Sequence, residues 1–119
     1  MKKVLIVDDE HLIIKIIQFK LESSGFEVIS AFDGVNGLQM AIKESPDIIL
    51  LDIMMPGMNG YTVLDILKKD ERTKNIPVIM VTARSQEVDK EKAESLGASA
   101  YIPKPFSPQH LVETINCVI

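Results

Sequence analysis

Five side chains at the ends of short apolar runs are of the types that bind cations and move phosphoryl groups. Asp8 and Asp9 follow the run at 4–7, Asp52 follows 47–51, Thr82 follows 76–81, and Lys104 comes just after 98–102. Three carboxylates brought together repel one another and push at least one toward protonation. A divalent cation and an ammonium relieve that: three carboxylates, one Mg²⁺ and Lys104 balance to zero charge. Mg²⁺ takes oxygen ligands, usually one or two carboxylates with waters and a phosphate. An all-oxygen set without histidine or thiolate argues against zinc. A carboxylate beside Mg²⁺ and a lysine is suited to attack on phosphorus, because both cations offset charge on the transferring group. The product is an aspartyl phosphate. Asp52, the single acid ending a central run, is the expected nucleophile; Asp8 and Asp9 are expected to hold the metal and its waters.

Taken singly, each residue has an ordinary role. An Asp-Asp pair forms turns, Thr82 can cap the next helix, and Lys104 can be a solvated surface charge. Only their joint placement carries the chemical reading, so the elements that position them decide it. The apolar runs at 4–7, 26–29, 47–51, 76–81 and 98–102 are short, mostly rich in Val and Ile, and bounded by charges, Gly or Pro. They read as buried strands of a sheet covered on both faces. Segments 10–24, 33–44, 59–70, 86–96 and from 107 onward have helical spacing, with Gly25 and Gly97 as stops, Asn59 as an N-cap and Ser107-Pro108 opening the last. Segment 86–96 has few apolar anchors, chiefly Val88, Ala93 and Leu96, so this helix is expected to be loosely held.

Strands separated by helices run parallel with right-handed crossovers. The expected fold is α/β: an open, doubly wound, five-stranded parallel sheet, (βα)5, order 2-1-3-4-5, flavodoxin-like. In such sheets ligands bind outside the carboxyl ends of the strands where the order reverses, between strands 1 and 3. Asp8, Asp9 and Asp52 stand there, with Thr82 and Lys104 on the next two strands.

Composition fits one domain over 1–119: the chain is 46% hydrophobic and 25% charged, with net charge −4. Without Asp8, Asp9, Asp52 and Lys104 the balance is 12 basic against 14 acidic residues, or −2. Half the net charge therefore belongs to one proposed cation site. An acidic domain is a poor direct partner for nucleic acid. The single Cys117 cannot form an internal disulfide and is expected to pack as a small hydrophobe. No stretch has the length of a signal h-region or a membrane span, and a cytoplasmic protein is expected.

At its motifs the sequence resembles the receiver domains of two-component response regulators, the CheY-like superfamily, over its whole length. The matching pieces are Val4-Leu5-Ile6-Val7-Asp8-Asp9-Glu10, the stretch Leu51-Asp52-Ile53-Met54-Met55-Pro56-Gly57-Met58-Asn59-Gly60, Val81-Thr82-Ala83 and Lys104-Pro105-Phe106. The resemblance implies that Asp52 accepts a phosphoryl group from a histidine kinase or histidine phosphotransfer protein. It implies Mg²⁺, with Mn²⁺ as the alternative, held by Asp9, Asp52 and the backbone carbonyl of Met54, with Asp8 acting through water. Lys104 contacts the phosphoryl oxygens, and the Lys104-Pro105 bond is cis. Thr82 and Tyr101 form a switch that rearranges the face of helix 4, strand 5 and helix 5, which meets an effector or output domain; a phosphorylation-linked dimer belongs to the same set of expectations. Met54 and Arg84 occupy positions that tune phosphate lifetime. The apolar residues of helix 1 from Leu12 to Leu21 spread over more than half its circumference, and the helix is expected either to be well buried or to dock the kinase's phosphotransfer region with its outer edge.

The resemblance implies self-catalysed phosphotransfer and autodephosphorylation rather than turnover of a separate substrate. Two rivals share parts of the pattern. A flavodoxin-like electron carrier needs a Gly- and hydroxyl-rich phosphate loop, where this chain has Asp8-Asp9-Glu10-His11. A phosphatase with an aspartyl-phosphate intermediate usually needs a second acid two residues after the nucleophile, where this chain has Met54. With Ile119 just after the last helix, two contexts are expected: a stand-alone receiver, or a receiver taken from a longer regulator.

Overall fold

Why each apolar run becomes a strand is visible in what covers it. The computed structural model describes residues 1–83 and 87–119, and of residues 87 and 88 the backbone alone. The strands are β1 (Lys3–Val7), β2 (Glu27–Ala31), β3 (Ile48–Leu51), β4 (Val78–Thr82) and β5 (Ala100–Pro103). They alternate with α1 (His11–Ser23), α2 (Gly34–Glu44), α3 (Gly60–Lys69), α4 (Glu87–Ser95) and α5 (Pro108–Val118). All pairings are parallel, as expected from the alternation of periods, and the order is the expected β2-β1-β3-β4-β5. Val7 pairs with Ala31 on one side and Leu51 on the other, so β1 and β3 end side by side.

Successive strand residues point to opposite faces. Leu5, Val7, Ile49, Leu51, Val78 and Met80 pack with Ala41, Val63, Leu64 and Leu67 of α2 and α3, while Val4, Ile6, Ile48, Leu50, Ile79 and Val81 pack with α1 and α5. Each fully buried Leu or Ile contributes roughly 1.5–3 kcal/mol, which makes the three central strands a rigid platform for the loops beyond their carboxyl ends.

Two of the expected strand starts move for one reason. Gly25 (φ 94) and Gly97 (φ 104) are left-handed and close α1 and α4 with paired bonds: Gly25 N–H to Glu22 O and Phe26 N–H to Leu21 O, then Gly97 N–H to Glu94 O and Ala98 N–H to Ala93 O. This is the Schellman closure. It consumes the amides of Phe26 and Ala98, so β2 begins at Glu27 and β5 at Ala100. Ile76 is likewise taken by a turn, its N–H donating to Thr73 O. Asp33, Asn59 and Ser107 cap α2, α3 and α5, each accepting an N–H from the first turn.

Gly60 opens α3 directly over the end of β3. Its N–H donates to Ile53 O at 2.9 Å, and a Cβ there would collide with the carbonyl of Asp52. On α1, Ile14, Ile17 and Leu21 are buried, while Leu12 (70%), Ile16 (44%) and Phe19 (77%) remain exposed. On α4, Ala93 is buried, and Leu96, just past its end, is half-buried; Val88 lies outside the described side chains. A polar tie supplements them: Tyr61 Oη donates to Asp89 Oδ1 at 2.9 Å, with Lys92 Nζ 4.3 Å above the Tyr61 ring. Cys117 is exposed rather than packed, because the buried stripe of α5 is Leu111, Val112 and Ile115. No helix among the described residues is long and apolar enough to cross a membrane.

Candidate functional site

The sheet carries Asp8 and Asp52 into one buried cleft by continuing its ladder past the strand ends. Asp8 N–H donates to Ala31 O at 3.1 Å and Asp52 N–H to Val7 O at 3.0 Å. Both residues are 3% exposed. Lys104 is anchored in the same way: its N–H donates to Thr82 O at 2.7 Å, and its bond to Pro105 is cis. Its Nζ lies 2.8 Å from Asp8 Oδ2, 3.1 Å from Glu10 Oε1 and 3.6 Å from Asp52 Oδ2. The Asp52 carboxylate accepts the Met54 N–H at 3.3 Å and a hydrogen bond from the Thr82 side chain. Thr82 is fully buried.

The electrostatics match the charge argument. Burial, then the neighbouring charge of Asp8, raise the Asp52 carboxyl above the usual carboxylate range; Lys104, the Met54 N–H and Thr82 pull it back only in part. Burial disfavours the Lys104 ammonium, but Asp8, Asp52 and Glu10 outweigh it, and its pKa rises. A second cation would relieve what Lys104 leaves uncompensated.

The converging oxygens are those of Asp8, Glu10 and Asp52, all within 4.8 Å of one another. An all-carboxylate set, mutually repelling and largely buried, fits Mg²⁺. Glu10 joins Asp8 and Asp52 in this group, while Asp9 is half-exposed beside it. Lys104 draws the Glu10 carboxylate in, with its Nζ 3.1 Å from Glu10 Oε1. Glu10 is the residue that sequence reasoning missed; the acidic run Asp8-Asp9-Glu10 was its only signal. Met54 is 57% exposed at the rim, Met55 is buried and Met58 half-buried. Tyr101 is half-buried on β5, with its hydroxyl oxygen out of solvent and its ring against the α3 side of the core. Arg84 lies outside the described residues. His11 stacks on Phe32 with ring centroids 4.1 Å apart, and His110 is exposed at the start of α5; neither joins the cleft.

Fold and site together define a doubly wound α/β domain with a lysine-bridged carboxylate cleft at its topological switch point. A family model for the response regulator receiver domain matches residues 4–116, and the chain belongs to that family, the receivers of two-component systems. It is 41% identical over 119 residues to protein PilH of Pseudomonas aeruginosa, covering 100% of this chain and 98% of that protein. It is 40% identical over 118 residues to PhoP of Bacillus subtilis, named an alkaline phosphatase synthesis transcriptional regulatory protein, covering 99% of this chain and 48% of that one. The chain thus spans about half the length of PhoP. The structure of chemotaxis protein CheY4 of Vibrio cholerae superposes with a TM-score of 0.94 at 33% identity, over 100% of this chain and 99% of that chain.

Proposed function

We propose that this receiver, a single domain over 1–119, takes a phosphoryl group onto Asp52 from a sensor histidine kinase or histidine phosphotransfer protein. An Asp52 carboxylate oxygen attacks phosphorus, the bond from phosphorus to the donor histidine nitrogen breaks, and the nitrogen leaves with the electron pair. The observation that carries this is the buried Asp52 carboxylate facing a buried lysine at 3.6 Å, at the end of a central strand. The Met54 N–H and Thr82 hydroxyl hold that carboxylate in one orientation, which supplies much of what an in-line displacement needs. Asp8, Asp9, Asp52 and the Met54 carbonyl are the proposed holders of Mg²⁺ or Mn²⁺. Bound there, the cation offsets the charge of the carboxylates and the transferring group.

Lys104 then pairs with phosphoryl oxygens and Thr82 donates to them, because the group brings roughly −2 charge and strong acceptors. Movement of Thr82 shifts Tyr101, and the face of α4, β5 and α5 changes toward an effector. The exposed Leu12, Ile16 and Phe19 edge of α1 is the proposed kinase dock. Beside it Lys15, Ile16, Phe19, Lys20 and Pro108 line a depression of about 370 Å³. Met54 and Arg84 are proposed to set phosphate lifetime, and a phosphorylation-linked dimer and a cytoplasmic setting complete the reading. The match to 98% of PilH suits a receiver acting by protein contact; the match to 48% of PhoP suits one inside a longer regulator.

The test is incubation with acetyl phosphate and Mg²⁺, followed by intact mass. Wild type gains one phosphoryl group and Asp52→Ala gains none; an adduct that persists in the variant overturns the assignment.

A further inference from the structure

Glu10 is the N-cap of α1, yet its side chain makes no cap hydrogen bond, whereas Asp33, Asn59 and Ser107 cap their helices with their own side chains. A short polar residue does this job best, so the chain forgoes local helix stability at this position. The Glu10 carboxylate goes instead to Lys104 Nζ at 3.1 Å, 94 residues away in sequence. Its backbone is pinned for that reach, with Glu10 N–H donating to Asp8 Oδ1 at 2.9 Å. Lys104 is thereby held between Asp8 at 2.8 Å and Glu10 at 3.1 Å, and stands 3.6 Å from Asp52, beyond good hydrogen-bond distance. The side chains of Asp8 and Lys104 are 4% and 9% exposed, and that of Glu10 is 56% exposed. Glu10 is the partner that can let go: a half-solvated ion pair is weak, while the buried one is costly to break.

We propose that Glu10 is a positioning residue that holds Lys104 back from Asp52, releasing it when a phosphoryl group on Asp52 competes for the ammonium. This rests on the reading of Asp52 as phosphoacceptor. Removing the tether lets Lys104 close on Asp52, where it competes with Mg²⁺ in the resting protein and meets an incoming phosphoryl group sooner.

Two variants separate the tether from simple charge. Glu10→Gln loses the charge. Glu10→Asp keeps it but is one methylene too short, and as a good N-cap it turns to the α1 amides. For both, calorimetric Mg²⁺ affinity is expected to fall roughly two- to fivefold, and the acetyl phosphate labelling rate at saturating Mg²⁺ to rise by a similar factor, the range of a partly exposed ion pair. Glu10→Asp should also melt a few degrees higher from its new cap, on the order of 2–5 °C, which checks that the shorter side chain has turned to the α1 amides; the labelling rate, which a merely structural role would not raise, judges the tether. Wild-type Mg²⁺ affinity and labelling rate in Glu10→Asp overturn the proposal, because charge alone then explains Glu10. A wild type that binds Mg²⁺ but takes no phosphoryl group refutes the phosphoacceptor reading, and the Mg²⁺ measurements still judge the tether. A wild type that binds no Mg²⁺ overturns the proposal.

Discussion

Replacing Gly60 by alanine sets two physical expectations against each other. Gly60 is the first residue of α3, and on helix propensity alone alanine should stabilise it by roughly 0.5–1 kcal/mol. The packing predicts the opposite. An added Cβ would lie 2.7 Å from Ile53 Cα and 2.8 Å from the Asp52 carbonyl carbon, and would overlap the Asp52 carbonyl oxygen. Ordinary carbon–carbon contacts are about 3.5–4.0 Å, so either α3 or the end of β3 must retreat by roughly 1 Å. All three atoms are backbone and cannot swing aside. Overpacking of this kind costs about 1–3 kcal/mol, leaving a net loss of roughly 1 kcal/mol after the propensity gain. In a domain of this size that lowers Tm by about 4 °C. The atoms that move carry the Asp52 carboxylate, and a misplacement of about 1 Å can slow a positioned reaction up to 100-fold. Circular-dichroism melting and acetyl phosphate labelling read the two effects. Gly25→Ala is the control: at φ 94 with nothing within 4 Å it costs roughly 1–2 kcal/mol of left-handed strain and leaves labelling alone. Gly60→Ala that melts at or above wild type and labels normally would refute the reasoning.

Lys104→Ala leaves Asp8 and Asp52 facing each other in a buried cleft. It should cost about 3 kcal/mol without metal, recover part of that in Mg²⁺, and slow labelling by at least tenfold, all measurable by melting and mass. Because the folded pKa of Asp52 is raised, the folded state holds its proton to higher pH than the unfolded chain does. Its contribution therefore makes the metal-free protein less stable as pH rises through that folded pKa. Asp52→Asn should accordingly raise the metal-free Tm at pH 7 and flatten its pH dependence. Asp70 behaves oppositely: Arg72 holds it down to about 2, so its stabilisation is present above the ordinary carboxylate pKa and is lost as pH falls toward 2. Arg72→Ala should remove that acid-limb loss from a titration of Tm. Tyr61→Phe removes the bond to Asp89; loss of about 1 kcal/mol should speed amide exchange in α4 roughly fivefold with little effect on exchange in β3.

Much of the fold was legible in the sequence because it comes from period. The runs that became β1, β3 and β4 are short, apolar and rich in Val, Ile or Leu, as strands covered on both faces are. Once five such runs alternate with helical stretches, the strands must run parallel, and for the order 2-1-3-4-5 the switch point falls between strands 1 and 3, so Asp8, Asp52, Thr82 and Lys104 could be placed together from sequence. The misplacements have one kind of cause. Phe26 and Ala98 look like strand starts because they are apolar, but their amides close helices behind left-handed glycines. The partnership of Glu10 with Lys104 and that of Tyr61 with Asp89 span 94 and 28 residues, and no local pattern announces either. Asp89, within a highly charged helix, had every sign of a solvated surface acid until the fold brought Tyr61 to it.

The central claim is that Asp52 carries the phosphoryl group, and chemical trapping reads it most directly. Borohydride reduces an acyl phosphate but not a free carboxylate, converting phosphorylated aspartate to homoserine. After treatment with acetyl phosphate, Mg²⁺ and borohydride, peptide sequencing by mass spectrometry should find homoserine at position 52 and aspartate at 8 and 9. Homoserine at position 8 or 9, or at neither these nor 52 in protein that has gained a phosphoryl group, would contradict the account.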